Sequence, residues 1–339
     1  MTSLAITDRL LRPSPGIRVL FLARHAPLEP DFAPRSYLGD GGYPAYYHRI
    51  WTALKELGYH VLTSNSLHSL PGAAGQVDLV FSLYNRIPIA TPEIYVAAQC
   101  AFLGLACVGA GANIRALAED KWLCKLAARG AGLPVAQGAI YNLEADFQTP
   151  PPFPGPYFIK NRLGAASEGI TEQSIQEDWD GAKHAARRLI ARGMAVLVEE
   201  YVAGLDVTLP VLGGETPLIL GLVAPGSNKA GGIITEDLKK DDPLGYRLFD
   251  AGVQAAAFAA DARTLWDVAG PIDYFRMDYR FDPQTGRRVF LEMNICCHIG
   301  RSGAICLAAA QHELSQLDIL GHVVEASLRR HVKRQEVRP

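Results

Sequence analysis

The stretch RMDYRFDPQTGRRVFLEMN, residues 276–294, joins two apolar segments through a turn at 282–286. This pattern predicts a β-hairpin with a longer loop. Because side chains alternate between the two faces of a strand, Arg276 and Asp278 share one face, and Glu292 and Asn294 also share one. If the register brings these faces together, three oxygen-bearing side chains and one arginine converge, and oxygen is the ligand that Mg²⁺ prefers. A surface hairpin with cross-strand ion pairs explains the residues equally well, although Glu292 and Asn294 lie in an otherwise apolar strand.

A second candidate site follows the apolar strand predicted at 157–160, where Lys160 precedes a glycine-containing loop that runs to Gly169. A lysine at the end of a buried strand needs an anion nearby. The loop offers backbone N–H groups and the Ser167 hydroxyl to phosphates, although it lacks the Gly-Lys-Ser/Thr ending of a Walker A sequence. From this stretch alone, a snorkelling lysine before an ordinary turn is the favoured alternative.

Two further stretches carry charge beside apolar residues. In VLVEEYVAGLD, residues 196–206, an apolar strand runs into Glu199 and Glu200 and then, after a turn, into Asp206. This hinge can place backbone groups against an adenine edge and a carboxylate near ribose hydroxyls, but an exposed acidic strand end is the alternative. Lys121 and Lys125 are four residues apart on the helix predicted at 113–130 and share a face, which a solvated stripe would also explain.

A competing signal is the stretch GAGANI at 109–114, which follows a short predicted strand. It is similar to a dinucleotide-binding G-x-G-x-x-G sequence, but its third position is Ile114 and no acidic ribose partner ends a second strand. The stretch therefore favours a turn that enters a helix over a nicotinamide site.

Composition narrows the class of protein. The 339 residues carry a net charge of −2 and are 49% apolar, so two or three domains are expected and there is no electrostatic reason to bind nucleic acid or an anionic membrane. The basic residues at 329–334 are interpreted as a solvated helix end. The six cysteines lack the spacing of a zinc site, and the sequence shows neither a leader nor a membrane span. We expect a reducing, cytoplasmic setting.

The order of predicted elements divides the chain. Residues 1–112 alternate strands and helices and predict an open α/β domain. After a proline-rich linker at 149–156, strands dominate, and the remainder is predicted to be α+β in two lobes, 113–205 and 206–339. The segment 223–247 is rich in Gly, Lys and Asp and is predicted to be a long mobile loop.

The motifs gain specificity from their order. Asp120-Lys121, Lys160 with its loop, the stretch 196–206, Arg276 with Asp278, and Glu292 with Asn294 closely resemble the ATP-grasp superfamily and, within it, the D-alanine–D-alanine ligase branch. The resemblance covers residues 75–305 and implies ATP held between two α+β lobes. It also implies a reaction in which ATP phosphorylates a carboxylate and an amine attacks the acyl phosphate.

The resemblance also implies roles for individual residues. Two Mg²⁺ ions, replaceable by Mn²⁺, would be held by Asp278, Glu292 and Asn294. The implied nucleotide contacts are Lys121, Lys160 and Lys229 for phosphates, Glu199 and the backbone around Val202 for adenine, and Asp206 for ribose. Glu200 is a further candidate nucleotide contact. Arg276 would stabilise the oxyanion, and Ser167 belongs to a loop that closes over the phosphates.

The departures from the family pattern fall on positions that face the substrates. The phosphate loop has Ala166 where the family has a first serine, and the sequence after Asn294 lacks the usual Thr-x-Pro-Gly. The candidate substrate contacts are Arg24, Asn85, His298, Gly300, Arg301 and Ser302. We therefore expect an ADP-forming ligase that joins amino acids or small peptides and has changed substrates. The resemblance to the family also implies a homodimer. A small-molecule kinase and a non-catalytic nucleotide-binding module are the alternatives.

Overall fold

A computed structural model describes residues 6–24, 26, 42–84, 92–163, 167–227, 232–233, 235 and 245–336. Within these ranges the chain forms three β-sheets with helices packed against them. Asn85 and Lys229, two of the predicted site residues, lie outside the described residues. Among the residues that are described, no helix has both the length and the apolar character needed to cross a membrane.

The first sheet is parallel and has the strand order β2-β1-β3-β4. Its strands are β1 (Arg18–Leu22), β2 (His60–Ser64), β3 (Leu79–Ser82) and β4 (Ala106–Cys107). The connecting helices are α1 (Gly42–Glu56), α2 (Leu70–Ala73) and α3 (Pro92–Phe102). Strands β1 and β3 are almost entirely apolar and buried, as expected for parallel strands covered on both faces. The predicted open α/β architecture is confirmed.

The single helix predicted at 113–130 is wrong, because the structure has two helices, α4 (Ala112–Glu119) and α5 (Lys121–Gly130). Asp120 separates them in an extended conformation, with φ −94° and ψ 100°. Its side chain accepts hydrogen bonds from the amides of Trp122 and Leu123 at 3.0 and 3.1 Å. An aspartate that satisfies the first free amides of a helix favours a new helix start over continuation of the old one.

The second sheet is antiparallel, with the order β5-β8-β6-β7. Its strands are β5 (Gly138–Tyr141), β6 (Tyr157–Asn161), β7 (Ile175–Gln176) and β8 (Val196–Glu200), and α6 (Trp179–Ala191) packs on one face. The apolar core under α6 includes Ile159, Leu189 and Val198. The opposite face carries the charged side chains of the candidate site.

The third sheet has the order β12-β11-β9-β13-β14, with β10 paired to β9. Its strands are β9 (Leu205–Leu212), β10 (Leu218–Ile219), β11 (Val223–Pro225), β12 (Tyr246–Leu248), β13 (Tyr274–Phe281) and β14 (Arg288–Ile295). Helix α7 (Ala255–Ala269) precedes β13, and α8 (Ala304–Ala310) and α9 (Gln316–Glu336) end the chain. The prediction of an unstructured loop over 223–247 is wrong at both ends, because β11 and β12 pair antiparallel.

The last helix, α9, packs against α1 and β4 of the first sheet. Arg330 on this helix is not a solvated residue as predicted: its side chain is 10% exposed and is paired with Asp273. The third sheet and the first sheet therefore share a buried polar contact. We propose the division of the chain into 1–112, 113–205 and 206–339, with the final helix of the last part covering the first sheet.

Candidate active site

The hairpin formed by β13 and β14 brings the predicted acidic residues together. In the antiparallel register Asp278 lies opposite Glu292, and Arg276 lies opposite Asn294. Directly opposed residues project to the same face of an antiparallel pair, so all four side chains share one face. The neighbouring strand β9 places Thr208 beside Asp278, and the Thr208 hydroxyl donates to Asp278 Oδ1 at 2.8 Å.

The chemistry of this face fits a hard divalent cation. Asn294 Nδ2 donates to Asp278 Oδ2 at 2.9 Å and to Glu292 Oε1 at 3.3 Å, so the amide lies between two carboxylates. A half-turn of the amide would present its oxygen in the same place, giving the all-oxygen set that Mg²⁺ takes together with phosphate and water. Among the described residues, no group of three or more His, Cys, Asp or Glu side chains is arranged to hold a metal ion.

Arg276 lies beside this cluster and is held from two sides. Its Nη2 is 3.2 Å from Asp278 Oδ2, and its Nη1 donates to the Tyr246 hydroxyl at 3.1 Å. Burial disfavours its charge, but Asp278 and Tyr246 outweigh that effect and raise the pKa of Arg276 above its ordinary value. The Nε of Arg276 is buried and has no hydrogen-bond partner among the described residues.

Lys121, the first residue of α5, connects this cluster to the second sheet. Its Nζ lies 3.7 Å from Glu292 Oε2, and its side chain is 11% exposed. Burial lowers the pKa of Lys121, partly offset by the charge of Glu292. Lys121, a predicted phosphate contact, and Glu292, a predicted metal ligand, are therefore neighbours, although α5 and β14 are far apart in the sequence.

A buried charge cluster lies next to Lys121 on the same face of the second sheet. Glu199 on β8 is 2% exposed, and its two carboxylate oxygens contact Lys125 Nζ at 2.5 Å and Lys160 Nζ at 2.7 Å. The Lys125 contact is an ion pair whose angles lie outside hydrogen-bond geometry. Burial lowers the pKa of Lys125 to about 8 against the opposing effect of Glu199. The two lysines lower the pKa of Glu199 although its burial acts to raise it.

The interpretation of Lys125 as part of a solvated stripe is wrong, because its side chain is 1% exposed. The role predicted for Glu199 against adenine stays a prediction, since both of its oxygens contact lysines here. The side-chain alternation on β6 and β8 places Lys160 and Glu199 toward α5. No sequence pattern indicated that the helix would bury Lys125 against them.

The hinge between β8 and β9 holds the other predicted nucleotide contacts. Arg280 on β13 pairs with Asp206 at 3.0 Å and donates to the carbonyl of Val202 at 3.1 Å. Glu200 pairs with Arg287 at 2.6 Å. Arg280 is 5% exposed and was not predicted from the sequence. The adenine and ribose roles of these residues stay predictions.

The substrate-facing candidates lie along the chain after β14. His298 packs against Tyr46 of α1, with ring centroids 4.3 Å apart and ring planes tilted by 33°, and the Ile299 amide donates to the Tyr46 hydroxyl at 3.2 Å. Cys297 is partly exposed, and burial raises the pKa of its thiol to about 12. Tyr46, like Tyr246 beside Arg276, was missed because it comes from a segment far away in sequence.

The remaining candidates are more scattered. Arg301 is exposed and donates to Gln316 Oε1 at 3.2 Å, Gly300 is buried, and Ser302 is exposed. Arg24 is exposed just after β1. Ser167 has the left-handed φ of 60°, and its carbonyl accepts a hydrogen bond from Ile170 at 2.9 Å. For Arg24 and Ser167, none of these contacts links them to the hairpin cluster.

Other parts of the protein occupy the space around the glycine-rich turn at 109–114. The Gly109 amide donates to Asp273 Oδ2 at 2.6 Å, and Gly111 is the N-cap of α4. A Cβ atom at Gly109 would collide with Arg115 and Cys296. The structure confirms a turn that enters a helix and is closely packed.

No protein-family model matches the sequence. The D-alanine–D-alanine ligase B of Chromobacterium violaceum is 30% identical over 228 residues, which cover 66% of this chain and 72% of that protein. The D-alanine–D-alanine ligase of Azoarcus sp. (strain BH72) is 31% identical over 196 residues, 57% of this chain. This chain spans 62% of the length of the Azoarcus protein and 62% of the corresponding ligase of Acidiphilium cryptum.

Solved structures show the same fold. The D-alanine–D-alanine ligase of Bacillus anthracis complexed with ATP superposes with a TM-score of 0.70 at 14% identity. The superposition covers 94% of this chain and 100% of the Bacillus anthracis chain. The ligase of Coxiella burnetii superposes with a TM-score of 0.67 at 12% identity and covers 96% of this chain and 97% of its own. The fold is therefore ATP-grasp, in which two α+β parts follow an α/β part.

Proposed function

Because this chain belongs to the D-alanine–D-alanine ligase family, we propose that it is an ATP-dependent, ADP-forming carboxylate–amine ligase. The observation that supports this most is the convergence of Lys121 with the β13–β14 cluster, where Nζ lies 3.7 Å from Glu292. Cationic groups for phosphate and oxygen ligands for a cation thus meet at one place. A phosphoryl-transfer site needs both, because charge on the transferred group must be neutralised.

The proposed nucleotide site lies between the second and third sheets. Lys121 and Lys160 would contact phosphates, and the hinge with Val202 and Asp206 would receive the adenosine. One structure with this fold is of a ligase complexed with ATP, which supports the same use of the fold here. Lys229 and Ser167 remain proposed phosphate contacts.

Asp278, Glu292 and Asn294 would hold Mg²⁺. When bound, such ions neutralise charge on the transferring phosphoryl group and orient it. The chain's own contribution is to hold the two carboxylates at fixed positions. For Asp278, Thr208 does this through a hydrogen bond of 2.8 Å to Oδ1.

The proposed reaction has two steps. An oxygen of the substrate carboxylate attacks the γ-phosphorus, and the bond between that phosphorus and the β–γ bridging oxygen breaks, releasing ADP. The amine nitrogen then attacks the acyl carbon, and the bond from that carbon to the phosphate oxygen breaks, releasing phosphate. Arg276 would donate to the oxyanion that forms on the acyl oxygen, since its Nε is buried without a partner among the described residues.

The proposed substrates are amino acids or small peptides, taken as small molecules. The pair of Tyr46 and His298 and the thiol of Cys297 would border the pocket for the second substrate, in place of the sequence that the family usually carries there. A homodimer is also proposed, which sedimentation velocity would test. The six free cysteines support a reducing, cytoplasmic setting.

A phosphate-release assay over a panel of amino acids, each tested as carboxylate and as amine, tests the proposal. We expect release that requires ATP, a divalent cation and both substrates. A stable phosphorylated product would instead indicate a kinase, and nucleotide binding without turnover would indicate a binding module. Glu292→Gln is expected to abolish release, whereas Glu144→Gln, which changes only a surface ion pair with Arg187, is expected to leave it unchanged. Near-normal release by Glu292→Gln would refute the proposed metal site.

A further inference from the structure

The ion cluster of Lys125, Glu199 and Lys160 is buried, and Lys125 is its least exposed member. The side chains of Lys125 and Glu199 are 1% and 2% exposed, and that of Lys160 is 6% exposed. Lys125 is on α5, and the other two are on neighbouring strands of the second sheet. A buried charge is retained only where a partner compensates it. Lys160 has its partner in Glu199, so the presence of a second lysine needs an explanation.

The net charge of the cluster explains why a second lysine is present. Two ammonium groups and one carboxylate leave a single net positive charge. Without Lys125 the carboxylate of Glu199, 2.7 Å from Lys160 Nζ, would neutralise Lys160 completely. The site would then present a neutral pair to an anionic ligand, and an ion pair attracts a distant charge far less than a lone ammonium does.

We propose that Lys125 is a positioning residue, which shares Glu199 with Lys160 and so leaves Lys160 the net positive charge that attracts nucleotide phosphates. The inference rests on the proposed nucleotide site and assigns a role to a residue that does not contact the nucleotide. Burial lowers the pKa of Lys125, and the carboxylate of Glu199, 2.5 Å from Lys125 Nζ, opposes that effect and favours the charged form.

A simple structural role makes a different prediction. If Lys125 only filled space and paired with Glu199, an apolar residue of similar length would perturb stability, and a second change at Glu199 would not restore any property of the site. Replacing a whole buried ion pair with apolar groups is often neutral for stability. The charge of the cluster and its packing can therefore be separated by changing one or both partners.

The experiment is calorimetric titration of the full-length protein with ADP and with a non-hydrolysable ATP analogue, both with Mg²⁺ at pH 7. We expect Lys125→Met to weaken both affinities by roughly 10- to 100-fold, because one unit charge is lost in a site of low effective dielectric. Lys125→Gln removes the same charge and keeps a polar group beside Glu199, so it provides the same test if the methionine variant does not fold.

The double variant Lys125→Met with Glu199→Gln gives the decisive comparison. It restores the net positive charge of the cluster, now on Lys160 alone, and keeps an oxygen at position 199 that can accept a hydrogen bond. It should therefore bind both ligands about tenfold more tightly than Lys125→Met does. Lys183→Met is the matched control. It removes an equal charge from α6, where Lys183 pairs with Asp180 at 2.6 Å, and it should bind as the wild type does.

Each result decides the question. Weak binding by both single variants, with recovery in the double variant, supports the proposal. Unchanged affinity in Lys125→Met, or a double variant as weak as the single one, overturns it. A wild-type protein that binds neither ligand would refute the proposed function and this inference with it.

Discussion

We expect the change Asp273→Asn to destabilise the fold strongly. Asp273 lies just before β13 and is 2% exposed. It accepts hydrogen bonds from the Gly109 amide at 2.6 Å, from the Ser327 hydroxyl, and from Nε and Nη2 of Arg330, both at 2.8 Å. One carboxylate therefore connects the turn after β4, the start of β13 and the helix α9.

The expected magnitude follows from the buried pair. Asparagine keeps the shape of the side chain but removes its charge, so Arg330, with a side chain 10% exposed, loses its counter-ion. Breaking a buried ion pair at one partner costs about 3–5 kcal/mol of unfolding free energy. Two charge-assisted hydrogen bonds at about 1.5–3 kcal/mol each give the same range. With a urea dependence of about 3 kcal/mol per molar, the unfolding midpoint falls by about 1 M or more.

The assay is urea unfolding followed by circular dichroism, with Asp78→Asn as the matched control. Arg18 and Asp78 make a similar two-point contact, at 3.2 and 2.6 Å, but their side chains are 47% and 40% exposed. Exposed pairs contribute little, so this variant should unfold near the wild-type midpoint. Equal midpoints for the variants at Asp273 and Asp78 would refute the reasoning that burial of the pair determines its contribution.

Two further predictions concern the site. Asp120→Ala should be less stable than Asp120→Asn by about 1 kcal/mol, because asparagine still caps α5. Burial opposes ionisation of Asp120, but Arg162 and the helix amides outweigh it and lower its pKa. The wild type should therefore have a higher free energy of unfolding than Asp120→Asn, by the full amount above the unfolded-state pKa of about 4. This difference should disappear as the pH falls through the folded-state pKa. A difference that stays constant with pH would contradict the prediction. Tyr246→Phe should lower kcat roughly tenfold and leave the KM for ATP unchanged, because a lost hydrogen bond to a charged group costs about 1.5 kcal/mol at the low end of its range. Tyr95→Phe, the control at an exposed contact with Gln99, should leave kcat unchanged. Equal kcat values for the two variants would show that Tyr246 does not support Arg276.

The β13–β14 hairpin shows what local pattern can predict. Alternation along two strands placed Arg276, Asp278, Glu292 and Asn294 on shared faces, and the register confirms that these faces coincide. The register shifts by one residue between Asp278 and Tyr279, and this irregularity, which the sequence pattern does not show, sets Asp278 opposite Glu292. The sharing of a face within each strand is local information. The fold class was predictable for the same reason, because the alternation of strands and helices and the ordered motifs lie within short stretches.

Contacts between distant segments were not predictable in this way. The pattern of α5 shows two lysines on one side of a helix, but it cannot show that β6 and β8 present Lys160 and Glu199 to Lys125. Likewise Tyr246 reaches Arg276 from a strand some thirty positions earlier, and Arg330 is buried only because α9 crosses the first sheet. The helices that carry Lys125 and Arg330 were predicted but their neighbours were not, whereas Tyr246 lies on β12, where a mobile loop was predicted.

The most direct measurement of the proposed chemistry follows an oxygen atom. The amino acid that supports phosphate release would be labelled with ¹⁸O in its carboxylate, and the phosphate analysed by mass spectrometry. An acyl-phosphate route leaves the attacking carboxylate oxygen on phosphorus, because the amine breaks the bond from carbon to that oxygen. We expect one ¹⁸O atom in each phosphate released. Phosphate without label would contradict the proposed carboxylate–amine ligase.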